Sequence, residues 1–507
     1  MKAKIILWGG VLAALATSVS AGPVRVEGGL IAGAEKGGVR TWFGVPYAAP
    51  PVGANRWRAP QPVAGWKGVK ATTAFSPACR QTATWIPKPQ SEDCLYLNIW
   101  APKAAKGRKL PVMVWIHGGG YYGGTGSQAG YDGEHLTRRG VIVVTINYRL
   151  GIFGFFSHPD LAAEGKVDGN QGLLDQVAAL RWVKCNIAAF GGNPDNVTIF
   201  GESAGGESVA VLTTSPLARG LFQRAIAESG NMAMPIDGRE YGWFDKAKAD
   251  ADGVAAAKAL NAPHLSDLRK LDTETVIAQA WSPRPVVDNY LIPTDMAAAY
   301  GRGQPARVPL LVGWNADEGK DLAPEILGTS DFSLARYPEL VETLLGRKPL
   351  PGLFQAYPAR TDAEARSAIN RLTTDYWGWR MWQWAKLHKN AKSGAAYVYE
   401  FVHVPAEPAK PCGYGCGAGH GAEIQYAFDQ LGQDPRQWTQ DDRQLAGRMA
   451  IYWTNFAKTG NPNGRGLPVW KTFDGSDASV IRLGSDAEVK AAPPLPDYRL
   501  IEGQPEN

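Results

Sequence analysis

Five cysteines are all that 507 residues contain, and an odd number cannot close entirely into internal pairs. At least one is therefore free or paired to another chain, and spacing alone does not fix the connectivity. No second Cys/His pair at ligand spacing accompanies Cys412 and Cys416, so no metal site is expected. Charge of one sign is also scarce. The 53 basic and 48 acidic side chains leave a net +5, without a Lys/Arg run of the kind that tracks nucleic acid, so no nucleic-acid partner is expected. Beyond the first residues no apolar run approaches the ~20 residues of a spanning helix, so the mature chain is expected to have no membrane span. Internal repeats, low-complexity tracts and long linkers are lacking as well. With 45% apolar and 20% charged residues, the composition is that of an ordinary globular protein.

The N-terminus departs from that average. Met1-Lys2-Ala3-Lys4 is a short basic start, Ile5 to Thr17 is apolar, and Val19-Ser20-Ala21 supplies small residues. This order predicts a cleavable signal peptide over residues 1–21, cut near Ala21, and a secreted or periplasmic protein. Loss of Lys2 and Lys4 would lower the formal charge from +5 to +3. Export permits disulfides. Cys412 and Cys416 flank Gly413-Tyr414-Gly415, a flexible segment able to bring two sulfurs together, and a local clamp is expected there.

Buried parallel strands are predicted over Pro111 to Ile116, Val141 to Asn147, Val197 to Phe200, Pro309 to Val312 and Ala396 to Phe401. Helices fall between several of them. Gly172 to Ala189 carries Leu173, Val177 and Leu180 at helical spacing; Asp441 to Lys458 carries Leu445, Met449, Tyr452 and Phe456 and stops at Gly460. This alternation predicts an α/β fold, a mostly parallel sheet covered on both faces, as one domain over residues 22–507. The helix-rich stretches Met232–Pro305 and Asp321–Ala391 are expected to build a cap or pocket wall.

The chemistry-bearing pattern is Gly201-Glu202-Ser203-Ala204-Gly205. The β-branched run Val197 to Phe200 precedes it and a predicted helix, Glu207 to Thr213, follows. Strand, tight turn and helix form the setting of an activated serine raised above a sheet edge. Such a serine attacking a carbonyl needs donors aimed at the developing oxyanion. His117-Gly118-Gly119-Gly120 follows the first strand and can turn backbone N–H groups inward; Ala204 adds a further N–H. His117 itself reads as an orienting or packing residue. In the expected chain order of serine, acid and histidine, three histidines follow the candidate acid: His388, His403 and His420. His420 lies in a glycine-rich loop, Gly417 to Glu423. His403, just after a strand, competes with it, and His388 reads as surface within Lys386–Lys392. The acid lies in Gly313-Trp314-Asn315-Ala316-Asp317-Glu318-Gly319, where reach alone does not choose between Asp317 and Glu318.

With these motifs, the chain resembles the type-B carboxylesterase family, which includes the cholinesterases. The resemblance spans nearly the whole mature chain: Phe43-Gly44-Val45-Pro46-Tyr47-Ala48, Ser91 to Asn98, Asn147-Tyr148-Arg149-Leu150-Gly151, Gly169 to Gln176, Phe190-Gly191-Gly192 and Trp453 to Ala457. It implies the α/β-hydrolase fold and a serine carboxylic-ester hydrolase that needs no cofactor. It selects Ser203, Glu318 and His420 as catalytic residues and Gly119, Gly120 and Ala204 as oxyanion donors. It also implies a Cys79–Cys94 bridge and buried ion pairs Arg149–Asp175 and Arg56–Glu92. Cys185 is left as a buried or free thiol.

The substrate is less sharply indicated than the chemistry: a small-molecule ester. Tyr376 and Trp377 open a segment that also holds Trp379, Trp382 and Trp384; the resemblance sets it near an acyl pocket, while its helical spacing equally suits a core helix. Met232 and Met234 offer a pliable apolar surface. Trp85 lies near the position where cholinesterases carry a choline-binding tryptophan, but the loop is shorter and choline esters are not inferred. Two other readings keep the same fold: an amidase or peptidase with the same triad, and a non-catalytic binding protein.

Overall fold

The structure, a computed structural model, describes residues 19–485 and 498–502 except 87, 106, 166–167, 231–244, 407, 409–416 and 434. Residues 1–18 of the expected leader, Met232, Met234 and the Cys412–Cys416 clamp fall outside the described residues, whereas the leader's last residues, 19–21, are described.

The frame is an eleven-stranded sheet. In chain order its strands are β1 (Val19–Ser20), β2 (Ala34–Lys36), β3 (Val39–Pro46), β4 (Tyr96–Pro102), β5 (Leu110–Ile116), β6 (Ile142–Ile146), β7 (Gly192–Glu202), β8 (Arg224–Glu228), β9 (Leu310–Asn315), β10 (Ala396–Phe401) and β11 (Val480–Leu483). Across the sheet they run β1-β2-β3-β4-β6-β5-β7-β8-β9-β10-β11. Pairings from β1 to β6 by way of β4 are antiparallel, and all those from β6 to β11 are parallel. From β5 the chain moves to β6 on one side, then returns to β7 on the other. That reversal opens a crevice beyond the carboxyl ends of β5 and β7, where such sheets bind ligands.

The strands are apolar on both faces because both are covered. Val112, Val114 and Ile116 of β5 join one core; Met113 and Trp115 join the other. The first core is closed by Leu173, Val177 and Leu180 of helix α1 (Gln171–Asn186), by Val209 and Leu212 of α2 (Ala204–Thr214), and by Met381 and Trp384 of a later helix. The second is closed by Leu445, Met449, Tyr452 and Phe456 of the helix Gln440–Thr459, whose expected bounds hold to within one residue.

The helical insertions deliver two more elements, α3 (Glu318–Leu327) and α4 (Asp362–Asn390). In α4 the tryptophans divide. Trp384 is fully buried against the sheet, as a core helix requires, whereas Trp377 faces a cavity described below. His388 is a correction: it is buried, with Nδ1 3.1 Å from Tyr300 Oη and Nε2 2.9 Å from Val308 O. The flanking lysines suggest surface, but one residue of a helix can face inward while its neighbours point to water. Burial pushes the His388 imidazole down to about 4.

Cys79 and Cys94 are bonded, while Cys185 is exposed and, among the described residues, unbridged. Arg149 forks onto Asp175 at 2.7 and 2.8 Å with both side chains buried, and Arg56 forks onto Glu92 at 2.6 and 2.8 Å. Both pairs brace loops at the carboxyl edge of the sheet.

Candidate active site

Ser203 follows the last residue of β7 and precedes the first residue of α2. Its φ of 54° and ψ of −126° are strained for a residue with a side chain. Two close contacts enforce the turn. Ser203 N donates to Glu228 O at 2.9 Å, fixing the elbow to the next strand. A Cβ on Gly205 would collide with the carbonyl oxygen of Ile116, so α2 approaches β5 closely only with glycine there.

The loop after β5 is equally constrained. Gly119 has φ 102°, and a Cβ there would strike the carbonyl of Gly123. Among the described residues, the N–H groups of Gly119, Gly120 and Ala204 have no acceptor, and all three residues line one cavity with Ser203. Ala204 opens α2, so its N–H belongs to the unsatisfied, partly positive end of a helix. His117, just before the glycines, stacks on Tyr148 at 4.4 Å and hydrogen-bonds Gly118 O through Nδ1 at 2.9 Å. Burial pushes it down to about 4, and it packs under the loop as expected.

Glu318 is the first residue of α3, fully buried beyond the end of β9. Its Oε1 accepts Asn315 N at 2.9 Å, and its Oε2 lies 2.6 Å from His420 Nδ1. Asp317 does something else: Oδ2 accepts Ala418 N at 2.8 Å and Oδ1 lies 3.2 Å from Lys320, which straps the histidine loop to α3. The two neighbouring carboxylates thus differ in direction: Glu318, not Asp317, reaches the His420 ring. Asp321 helps by accepting His420 N at 2.9 Å. His403, the competing histidine, pairs with Asp442 at 2.7 Å at the start of the helix Gln440–Thr459.

His420 Nε2 makes no hydrogen bond; Glu202 Oε1 is 3.2 Å away in poor geometry. Catalytic hydrogen bonds are often loose in unliganded enzymes, so this geometry leaves Ser203 a candidate partner. Burial alone would lower the His420 imidazole, but the negative charges of Glu202 and Glu318 outweigh it and push it up to about 10. Glu202 is itself pushed up to about 8, by burial first and by Glu423 and Glu318, against the pull of His420.

Glu202 and Glu423 do not stand out as site residues in the sequence. Glu423 accepts from Asn315 Nδ2 at 2.5 Å and from Ser229 Oγ at 3.3 Å. One signal is available: a glutamate closing an otherwise apolar buried strand, as Glu202 does, needs a partner. The cavity holds about 490 Å³ and is bounded also by Trp85, Tyr122, Trp281, Arg284 and Trp377. Trp377 Nε1 donates to Ser229 O at 2.6 Å, and its ring stands edge-on to His420 at 6.2 Å. Tyr376 does not line the cavity; one helical step away, it is buried in the apolar cluster to which Trp377 also belongs, against the ring of Trp379.

Comparison with known proteins identifies the family of the chain. The carboxylesterase family model matches residues 18–500. Fumonisin B1 esterase of Sphingopyxis macrogoltabida is 34% identical, over 95% of this chain and 91% of that protein. Para-nitrobenzyl esterase of Bacillus subtilis (strain 168) is 35% identical, over 93% and 96%. A solved structure of PNB esterase superposes with a TM-score of 0.75 at 35% identity, covering 91% of this chain and 96% of that one. This chain belongs to the carboxylesterase family and is a carboxylic ester hydrolase.

Proposed function

We propose that ester hydrolysis proceeds through Ser203, His420 and Glu318 by way of an acyl-enzyme, in an exported protein. The observation that carries the reading is the buried Glu318 at 2.6 Å from His420 Nδ1, beside a cavity that also holds the strained Ser203. Glu318 fixes the imidazole by its Nδ1–H and leaves Nε2 free to take a proton. His420 accepts the Ser203 proton as the oxygen attacks the ester carbonyl. Gly119, Gly120 and Ala204 N–H groups then receive the oxyanion, and the positive end of α2 adds to their field. His420 returns its proton to the departing alcohol, and water repeats the sequence on the acyl-enzyme.

Export rests on the basic and apolar N-terminus and on the Cys79–Cys94 bond, which suits an oxidising compartment. Among the described residues no helix is long and apolar enough to cross a membrane. The unpaired N–H groups and the filled catalytic positions favour an enzyme over a binding protein. A fluorophosphonate probe tests the reading: it should label one residue, Ser203, and block turnover of p-nitrophenyl butyrate. Label elsewhere, or faster turnover of the matched amide than of the ester, would overturn it.

A further inference from the structure

The opposite edge of the sheet carries a second feature that ester hydrolysis does not use. A cavity of about 530 Å³ opens where β3 and β5 begin and where Gly140 leads into β6. Four of the residues lining it are cationic, Arg108, Arg138, Arg139 and Lys458, and none is acidic. Ser203, Glu318 and His420 follow the far ends of β7, β9 and β10, and the oxyanion glycines follow that of β5, so the two cavities lie on opposite edges of the same sheet.

The charges are only half answered. Arg138 pairs with Glu134 at 2.6 Å across one helical turn, and Arg139 with Asp429 at 2.6 Å. Arg108 and Lys458 face no carboxylate among the described residues. The Arg139 Nε–H is buried without an acceptor, which leaves a directed donor unused. Lys458 is held below its ordinary value by burial and then by the charge of Arg139, so the two cations repel each other. Proteins seldom bring like charges together at a partly buried edge unless something neutralises them.

We propose that this cavity binds a dianionic oxyanion, a phosphomonoester or phosphate group. Two unanswered positive charges match a dianion; a single carboxylate would leave one uncompensated. Arginine forks suit tetrahedral oxyanions that accept several donors at once, and a phosphomonoester is close to doubly charged near neutral pH. Gly38 and Gly140 in the lining keep side chains out of the group's way. The same chemistry is offered by soluble phosphates and by the headgroup of an acidic phospholipid, and the test separates them.

The full chain is titrated calorimetrically with inorganic pyrophosphate at low ionic strength, with chloride at matched ionic strength as the control. A second arm measures co-sedimentation with phosphatidylcholine vesicles with and without phosphatidic acid. Arg108→Gln and Lys458→Gln are compared singly and together. Arg108 is exposed, so its substitution cannot be mistaken for a failure to fold. Binding is expected for pyrophosphate but not chloride, weakened roughly tenfold by each substitution, the loss of one charge-assisted hydrogen bond. Turnover of p-nitrophenyl butyrate should be unchanged in both variants. Binding of pyrophosphate alone assigns a soluble phosphate. Binding only of phosphatidic acid vesicles, lost in the same variants, assigns a lipid headgroup. No binding in either arm, or binding that the double variant retains, overturns the proposal.

Discussion

Glu318 Oε2 and His420 Nδ1 are 2.6 Å apart, and the carboxylate's other oxygen is held by the backbone N–H of Asn315. The acid is thus fixed on both sides before any substrate arrives. Its proposed role is to select the imidazole tautomer with Nε2 free and to stabilise the imidazolium. Glu318→Gln keeps the shape but offers Nδ1 an amide that can stabilise the wrong tautomer. The expected result is a fall in kcat of about 10³- to 10⁴-fold, with far-ultraviolet circular dichroism and thermal midpoint little changed. A fall of less than tenfold would show that Glu318 does not serve this role.

The carboxyl group of Glu202 sits 3.2 Å from the other ring nitrogen. Its negative charge is a principal reason the imidazole is pushed up to about 10 despite burial. A histidine acting as base must be neutral, so activity rises with pH as the imidazolium loses its proton. Glu202→Gln removes one of the three carboxylate charges, with Glu318 and Glu423, that hold that proton. The rising limb of the kcat/KM profile should then move to lower pH, by about one unit or more. A limb that stays in place or moves upward would mean that another group controls it.

What the sequence displays of this site follows from range. Ser203 is legible because strand, elbow and helix are contiguous, and each local requirement, such as glycine at 205, is written within a few residues. Glu318 is legible only as one of two neighbours, because the choice depends on how α3 leaves β9; resemblance, not spacing, favours it. Glu423 escapes notice because it matters only once three separate loops meet. The parallel strands are visible as continuous apolar runs, which both-face burial demands. His388 misleads because its neighbours' charges outweigh its own inward direction. Trp377 and Tyr376 show the limit most clearly: adjacent in sequence, they part by one helical step, and only one reaches the cavity.

Trp377 offers a test of substrate size. Its indole is tethered to Ser229 O and lies beneath the Arg380 guanidinium at 4.5 Å, so it is a fixed wall rather than a mobile one. Trp377→Phe retains most of that wall, whereas Trp377→Ala opens the space beside His420. Across p-nitrophenyl esters of increasing acyl length, the alanine variant should favour chains longer than those preferred by the wild type, and the phenylalanine variant should differ little. A profile unchanged in the alanine variant would place the acyl group elsewhere in the cavity.

The Cys79–Cys94 bond closes a loop with a sequence separation of 15 residues, and that loop carries Trp85 to the cavity. Chain-entropy reasoning assigns such a closure about 3 kcal/mol. The double variant Cys79→Ser/Cys94→Ser should lose stability of that order in urea unfolding. Because this loop carries Trp85, itself 55% exposed, to the cavity, KM for aryl esters should also rise while kcat changes little. Loss of kcat without change in KM would count against a binding role for this loop.

Arg149 and Asp175 separate two explanations of stability that proximity alone would merge. Both side chains are buried, and Asp175 also accepts the Arg149 backbone N–H at 3.0 Å. Burial raises the Asp175 carboxyl, and the arginine opposes that rise. A buried pair of this kind need not add much over an apolar replacement, since both charges surrendered water to meet. Breaking it from one side is different, because the remaining charge has no water to return to. Arg149→Met should therefore cost about 3–5 kcal/mol in urea unfolding. In Arg149→Met/Asp175→Asn the stranded charge is gone, and the introduced side-chain amide can still accept the backbone N–H through its oxygen. The double variant should consequently be more stable than Arg149→Met alone. If the two losses simply add, the pair is not coupled in the way the fork geometry requires.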